Sequence, residues 1–495
     1  MFSGPTLLLA SALAAAPQGG TTFFTEVGAQ RGMQPYTMGG GISAGLAADD
    51  FDGDGDVDLF VPNGLGVPDQ LYVNDGTGHF VESTAALGVD VDGNHRAALW
   101  FDANGDGLQD LLVAGDCYED VPCGSGPPLR LHVQQPGGGF VETTQAARLG
   151  RDVLLFSDTH VGGLAAGDID GDGDLDLVVA FWEGFTHLYV NDGSGVFTDR
   201  AQDAGIQLQS TCWQPVLHDF DGDGHVDIFQ AVDFIENHLW INQGDGTFVD
   251  RAADAGVDTS FNEMGVALAD HDRDGDLDLY ITNIYVPGFR HNVLFERQGP
   301  GLTFAEVSGP MGVRDSGCGW GTSFVDVDLD GWFDVPASNS CAGRNTRMFH
   351  SRMAAGQGYE DVSLRVGMDG KDGSGLVAFD MDGDGDRDLA QVGAQGLRLF
   401  ENRHAAGPSR GWLVVRPRMR GANSRAIGAV VTVDDGVHRT ARIVLAGSSA
   451  LSQEPAEAHF GLGAATTVDV TVEWPDGSVT VTQDVDANRI LTIAP

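Results

Sequence analysis

Seven copies of one acidic nonapeptide, spread along a chain of 495 residues, constrain this sequence more than anything else in it. They read DFDGDGDVD from Asp50, DANGDGLQD from Asp102, DIDGDGDLD from Asp168, DFDGDGHVD from Asp219, DHDRDGDLD from Asp270, DVDLDGWFD from Asp326 and DMDGDGDRD from Asp380. Positions 1, 5 and 9 are always Asp, position 3 is Asp or, once, Asn104, and position 6 is always Gly. Side chains at positions 1, 3 and 5 converge when such a loop curls. Position 7 offers its backbone carbonyl, and position 9 closes a shell of about six to eight oxygens, which is what calcium prefers. Gly at position 6 permits a sharp positive-φ turn. Two carboxylates about 4 Å apart repel by about 4 kcal/mol at an effective dielectric of about 20, so an empty cage destabilises itself and a divalent cation reverses the sign.

The candidate calcium ligands are Asp50, Asp52, Asp54, Asp56 and Asp58 in the first loop and Asp102, Asn104, Asp106, Leu108 and Asp110 in the second. The third and fourth loops offer Asp168, Asp170, Asp172, Asp174 and Asp176, then Asp219, Asp221, Asp223, His225 and Asp227. The last three offer Asp270, Asp272, Asp274, Asp276 and Asp278; Asp326, Asp328, Asp330, Trp332 and Asp334; and Asp380, Asp382, Asp384, Asp386 and Asp388. Up to seven calcium ions are expected. An EF-hand shares the opening, but it needs Glu at position 12 and flanking helices. Position 12 here is Val61, Val113, Val179, Gln230, Ile281, Ala337 or Gln391, and the segments after position 9 are short, apolar and β-branched, as strands are. Tandem nonapeptide β-helix repeats are excluded by the spacing of 52, 66, 51, 51, 56 and 54 residues. Solvated acidic turns without metal would explain one copy better than seven.

The sequence between the loops repeats as well. Each loop is preceded by a short apolar strand and followed by a second, then by a third strand and turn such as LYVNDGTGHF from Leu71 or LYVNDGSGVF from Leu188, where NDG is a hairpin signal. Four short strands per period near 50 residues read as propeller blades, with a linear β-solenoid as the alternative. The seventh unit lacks a fourth strand, and TTFFTEVGAQRGM at 21–33 repeats the pattern of FVESTAALGV at 80–89. Residues 22–27 are therefore expected to complete the seventh blade and close the ring.

These repeats resemble the FG-GAP or VCBS repeats of integrin-type propellers over residues 21–403. From Gly411 to 495, NSRAIGAVVTV, SSALSQ, HFGLG and WPDGS resemble the ASPIC/UnbV domain that follows such repeats in the cartilage acidic protein family. The resemblance implies an all-β chain: a seven-bladed calcium-loop propeller, a linker at 404–410, and a small β-sandwich-like domain at 411–495. It also implies a secreted interaction protein with no catalytic residues to carry over.

The net charge of −45 removes nucleic acid as a partner, since phosphate binding needs a basic face, and it disfavours an anionic membrane. Residues 1–16 have the outline of an export signal, with TLLLASALAAA as its apolar core and Ala12-Leu13-Ala14 as a cleavage candidate, although no Lys or Arg precedes it. That core is too short to span a membrane as a helix. Cys117 with Cys123, and Cys318 with Cys341, suit disulfides in an oxidising compartment, leaving Cys212 as a buried thiol. Localisation is expected to be secreted, cell-surface or periplasmic.

All seven acidic loops should share one face. The opposite face collects Tyr36, His95, Tyr118, Phe156, His160, Trp182, Phe185, Trp213, Phe234, Phe261, Tyr285, Phe289 and Trp320 with Arg96, Arg290 and Arg344, the residue types of a recognition surface. About half of these aromatics are expected to pack between blades or cap the channel. The resulting expectation is an extracellular binding or adhesion module for a protein or glycan. The alternative is a propeller enzyme, a polysaccharide lyase or hydrolase, with its site at the channel mouth near His95 and His160.

Overall fold

The computed structural model describes residues 23–34, 44–64, 67–89, 93–116, 128–149, 160–286, 289–315, 317–341, 345–368, 373–393, 396–403 and 410–495. The expected export signal, Cys117, Cys123, Tyr36, Tyr118, Phe156 and Arg344 lie outside the described residues.

Residues 24–402 form seven four-stranded antiparallel units. Their first strands are Ala47–Asp49, His95–Phe101, His160–Gly167, Gln209–His218, Glu263–Ala269, Gly319–Thr322 and Gly375–Phe379. Each contacts the first strand of the next unit, and Gly375–Phe379 returns to Ala47–Asp49, so the units form a closed ring of blades. Alternate side chains fill the layers between blades. Between blades one and two, for example, the Phe51 ring stacks on Trp100 at 5.1 Å beside Phe60, Leu71 and Leu111. Blades three and four are also fused into one sheet, because the long strand Asp176–Phe185 extends past its own blade and pairs with Gln209–Thr211.

The seventh blade is made from both ends of the propeller sequence. Phe24–Glu26 pairs antiparallel with Gly396–Asn402, Phe24 opposite Asn402 and Glu26 opposite Phe400. The Phe24 amide also donates to the Val366 carbonyl at 2.9 Å, which ties the closing strand to blade six. An edge that would otherwise present bare backbone groups is thereby covered.

The C-terminal part consists of two sheets. One has the order Ala458–Gly463, Gly411–Pro417, Arg489–Ile493, with the last pair parallel; the other runs Arg439–Ile443, Val430–Asp434, Thr467–Glu473, Val479–Asp486. Leu413, Val415 and Phe460 from the first sheet share a core with Val431, Val433 and Val470 from the second.

Between the sheets' strands, the segment at 446–454 leaves this domain and enters the propeller channel, where it meets every blade. Gln453 accepts from the Trp100 amide at 2.6 Å through Oε1 and donates to the Trp100 carbonyl at 3.0 Å through Nε2. The Gln453 backbone pairs with Leu46 and Ala48, each at 2.9 Å. Ala446 bridges to Ala166, and the Leu451 amide donates to Gln214 Oε1 at 3.1 Å. Ser449 exchanges backbone bonds with Val266, accepts the Thr322 amide at 2.9 Å on its hydroxyl, and donates that hydroxyl to the Leu376 carbonyl at 2.9 Å. Glu454 Oε1 takes the Ala378 amide at 3.0 Å. The first strand of a blade has one edge facing the channel, and its polar groups must find partners when buried. Here a single chain segment supplies them to all seven blades. A side chain at Gly45 would place Cβ 1.8 Å from the Leu451 carbonyl oxygen, so glycine is required where the segment passes.

Candidate metal centres

Each acidic nonapeptide joins the first strand of its blade to the second, and its left-handed turn is written into the backbone. Position 6 glycine has φ between 86° and 104° in all seven loops. Its amide donates to the position 1 carboxylate in six of them, from Gly331 to Asp326 at 2.7 Å through Gly275 to Asp270 at 3.1 Å. Position 4 is left-handed too, which the spacing argument did not reveal. It is Gly in five loops but Arg273 at φ 66° and Leu329 at φ 55° in the fifth and sixth.

Position 9, an expected ligand, has a structural task of its own. One oxygen of Asp110, Asp176, Asp227, Asp278, Asp334 and Asp388 accepts the position 2 amide of its own loop, at 2.7–3.0 Å. The other accepts an amide of the third strand, as from Gln134 to Asp110 at 2.8 Å, and Asp58 does this with Asn74 at 2.8 Å. This Asp therefore locks loop, second strand and third strand together before any ion is considered.

The donor sets fit a hard cation. Carboxylate oxygens of Asp50, Asp52 and Asp54 lie within 4.8 Å of one another, as do those of Asp168, Asp170 and Asp176, of Asp219, Asp221 and Asp227, and of Asp270, Asp272 and Asp278. Burial, and after it the neighbouring carboxylates, pushes Asp58 and Asp386 up to about 9 and Asp110, Asp176 and Asp227 up to about 7. Carboxylates crowded and buried in this way gain most from a divalent partner.

The loops are not equivalent. In the sixth, Arg410 lies 2.9 Å from the Asp328 carboxylate, and His350 Nδ1 lies 2.7 Å from Asp334 with Nε2 4.0 Å from Asp328. Burial opposes the charge on His350, but Asp334 and Asp328 outweigh it and raise its pKa. This loop carries part of its own countercharge. In the seventh, Arg31 from the closing segment pairs with Asp382 at 2.9 Å.

Sequence reading missed a group of asparagines. In NDG-type turns Asn was read only as a hairpin residue. The Nδ2 groups of Asn74, Asn191, Asn242 and Asn402 instead donate to the position 2 carbonyls of the preceding blades' loops, Met381, Ala103, Ile169 and Val327, at 2.8–2.9 Å. The signal was present in the recurrence of Asn at the end of the third strand, before Asp75, Asp192, Gln243 and Arg403. Its partner, a carbonyl in another repeat, was not.

Comparison with known proteins divides the chain as the structure does. Residues 50–113, 168–230 and 231–281 match the FG-GAP-like repeat, and residues 419–495 match the ASPIC and UnbV family. Cartilage acidic protein 1 of Mus musculus is 35% identical over 267 residues, covering 51% of this chain and 40% of that protein. The Homo sapiens protein of that name is 34% identical over 269 residues, covering 51% and 39%. The chain thus spans about two fifths of the length of these curated relatives. Among solved structures, BBS1N in its complex with ARL6DN superposes with a TM-score of 0.46 at 10% identity, over 78% of this chain and 99% of that one. This chain belongs to the cartilage acidic protein family.

The four stretches that mark the family's ASPIC/UnbV domain all meet the propeller, on its acidic-loop face or inside its channel. Arg425 of NSRAIG reaches the Asp50 carbonyl and lies 3.8 Å from the Asp49 carboxylate. SSALSQ is the channel segment. In HFGLG, a side chain at Gly461 would place Cβ 1.9 Å from Asp326 Oδ2, and the Gly463 amide donates to the Leu329 carbonyl at 3.0 Å. Trp474, Pro475 and Gly477 of WPDGS line a cleft against Gly171, Gly222 and His225 of the third and fourth loops. The two loops that sacrifice glycine at position 4 use the replacement for this docking, Arg273 with Asp435 at 3.3 Å and Leu329 through its carbonyl. Glu457, buried, is clasped by Arg387 at 2.8 Å and Arg416 at 2.7 Å. Burial pushes its carboxyl up, but the two guanidiniums outweigh burial and hold it down to about 2.

On the opposite side the expected surface divides. Trp213 and Trp320 are 5% exposed and meet edge to face at 4.9 Å, Arg96 lies over Trp213 at 5.9 Å, and Trp182 packs beside them. These residues close the channel from that side rather than present themselves. Arg96 is buried against Asp116 at 3.0 Å. His95 is bound through Nδ1 to Asp69 at 2.7 Å and buried, and His160 packs edge-on against Trp182 at 5.3 Å. Phe234 and Phe289 remain, 56% and 65% exposed, with Arg290 over the Phe289 ring at 5.3 Å; Phe185, Phe261 and Tyr285 are half-buried. Cys318 and Cys341 form a disulfide, and Cys212 is buried with its thiol pushed up to about 12 by that burial.

Proposed function

We propose that this protein is a secreted, calcium-stabilised β-propeller that acts as an extracellular binding module, with calcium structural and the partner, a protein or glycan, engaged on the face opposite the acidic loops. The observation that carries this reading is the division of labour between the faces. The loop face is occupied by the C-terminal domain, whereas Phe234 and Phe289 stand exposed on the other, with the half-buried Arg290 over the Phe289 ring. The disulfide between Cys318 and Cys341 supports export. Kinship with the relatives named Cartilage acidic protein 1 is consistent with an extracellular setting. Loops two to four, without the cationic contacts of the sixth, are expected to bind calcium most tightly and the sixth most weakly. Isothermal titration of the full chain with calcium, beside glycan-array and pull-down screens on the loaded protein, tests the reading; absence of calcium binding would remove its first half.

One observation favours the enzymatic alternative. Glu263 is buried at the far channel mouth, and burial pushes its carboxyl up to about 8, the state a general acid needs. Its Oε2 accepts the Phe261 amide at 2.9 Å, and Asn262 beside it bonds Asp233. Polysaccharide turnover lost in Glu263→Gln would select this second reading.

A further inference from the structure

We propose that blade five carries an additional cation site of a different chemical type, formed by His271, Asp272 and Glu296, which takes a borderline divalent metal such as zinc beside the loop's calcium. One donor atom from each of the three side chains lies within 4.8 Å of the others. His271 is 0% exposed, and its Nε2 has no hydrogen-bond partner. It faces Glu296 Oε2 at 3.7 Å, too far for a hydrogen bond and close to the separation of two donors that share one ion at about 2.0–2.1 Å each.

The surroundings orient both ligands. His271 Nδ1 lies 3.5 Å from the buried Tyr359 hydroxyl of blade six, which leaves the Nε2 lone pair for a metal when the ring proton is on Nδ1. Glu296 Oε1 accepts from Gln298 Nε2 at 3.2 Å, which leaves Oε2 on the His271 side. The nearby guanidinium of Arg273 is turned toward Asp435 and Thr440, and Arg297 donates to the Gly299 carbonyl.

The repeat supplies an internal control. His271 is position 2 of its loop, where the other six have Phe51, Ala103, Ile169, Phe220, Val327 and Met381. Glu296 stands in the third strand where blades one to four have Val73, Val133, Val190 and Ile241; blades six and seven have His350 and Glu401 there, but with apolar Val327 and Met381 at position 2. An apolar contact between loop and third strand has become an imidazole and a carboxylate in the same blade. Asp272 also belongs to the cluster with Asp270 and Asp278, so its carboxylate bridges the loop's ion and the new one. One imidazole with two carboxylates selects zinc-like ions over calcium.

The test uses the full chain saturated with calcium, dialysed against zinc, with both metals counted by plasma mass spectrometry. About one zinc per chain is expected in addition to calcium. His271→Phe with Glu296→Val, which restores the pattern of blades one and four, should abolish zinc retention and leave calcium content unchanged. Tyr359→Phe should weaken zinc about tenfold. No zinc held by the native chain, or zinc held equally by the double variant, overturns the proposal. If the double variant loses calcium as well, it has misfolded, and zinc-edge X-ray absorption of the native protein decides: no imidazole in the metal shell rejects the site. Zinc bound without calcium would leave this proposal standing and remove the calcium reading.

Discussion

The two mouths of the propeller channel are closed by different means. On the acidic-loop side a segment from another domain, 446–454, brings serine, glutamine and backbone groups to the first strands of all seven blades. On the far side the blades close the channel with their own side chains, Trp213 of blade four against Trp320 of blade six. The first closure is polar, specific in register and dependent on residues more than two hundred positions away from most of its partners. The second is apolar and local to the ring. The difference shows where free surface remains: the loop face is used to hold the molecule together, and the exposed aromatics, Phe234 and Phe289, lie on the other.

Removing the first closure should have the largest effect. A chain ending at residue 410 strands buried polar groups on every blade, each costing about 1–3 kcal/mol, a sum comparable to a typical domain stability of about 5–15 kcal/mol. Thermal melting and limited proteolysis of residues 17–410 should therefore show an unfolded or molten ring. A truncated propeller that melts like the whole chain would erase the distinction between the mouths.

Chelation comes next. Metal that binds only the folded form adds about 2.7 kcal/mol per site at a hundredfold excess over Kd, so a calcium chelator should lower the melting temperature strongly, and calcium should restore it better than magnesium. A melting curve indifferent to chelator would mean that the loops hold their shape by hydrogen bonds alone.

Acid should loosen the domain docking by a smaller amount. The Glu457 carboxyl is depressed from its ordinary 4.5 to about 2, so its contribution is present above about 4.5 and is lost as pH falls toward 2. The shift corresponds to about 3 kcal/mol at neutral pH. Glu457→Gln should remove that dependence, read as a flatter acid limb in the melting temperature plotted against pH. An acid limb unchanged in this variant would place the pH sensitivity elsewhere.

The smallest effect on stability is expected on the far face. Phe234→Ser with Phe289→Ser should change unfolding free energy by no more than about 0.5 kcal/mol each while abolishing capture of the partner found with the native protein. Retained capture would move the binding surface off these residues.

Much of this architecture was legible because its signals are local. Each nonapeptide contains both its candidate ligands and its turn glycine within nine residues, so seven loops between paired strands follow from the sequence alone. The closing strand Phe24–Glu26 was legible for the same reason, since it repeats the fourth-strand pattern that blade seven lacks. The left-handed position 4 was obscured by Arg273 and Leu329, whose strain is accepted where those residues dock the C-terminal domain. The partners of the asparagine staples were invisible, because hydrogen bonds between repeats leave no spacing to read, and the structural role of position 9 was hidden behind its reading as a ligand.

By itself, then, the sequence determined the repeating unit, the charge concentrated in its loops, the pairing of Cys318 with Cys341 and the kinship of the tail. Only the tertiary structure decided what SSALSQ does, which loops are neutralised by the protein's own cations, and which aromatics are surface rather than core. The physical reason is range. Turn conformation and strand alternation are fixed by neighbours a few residues apart, whereas the channel partners of Ser449 and Gln453, such as Leu376 and Trp100, are brought beside them only when the ring has closed.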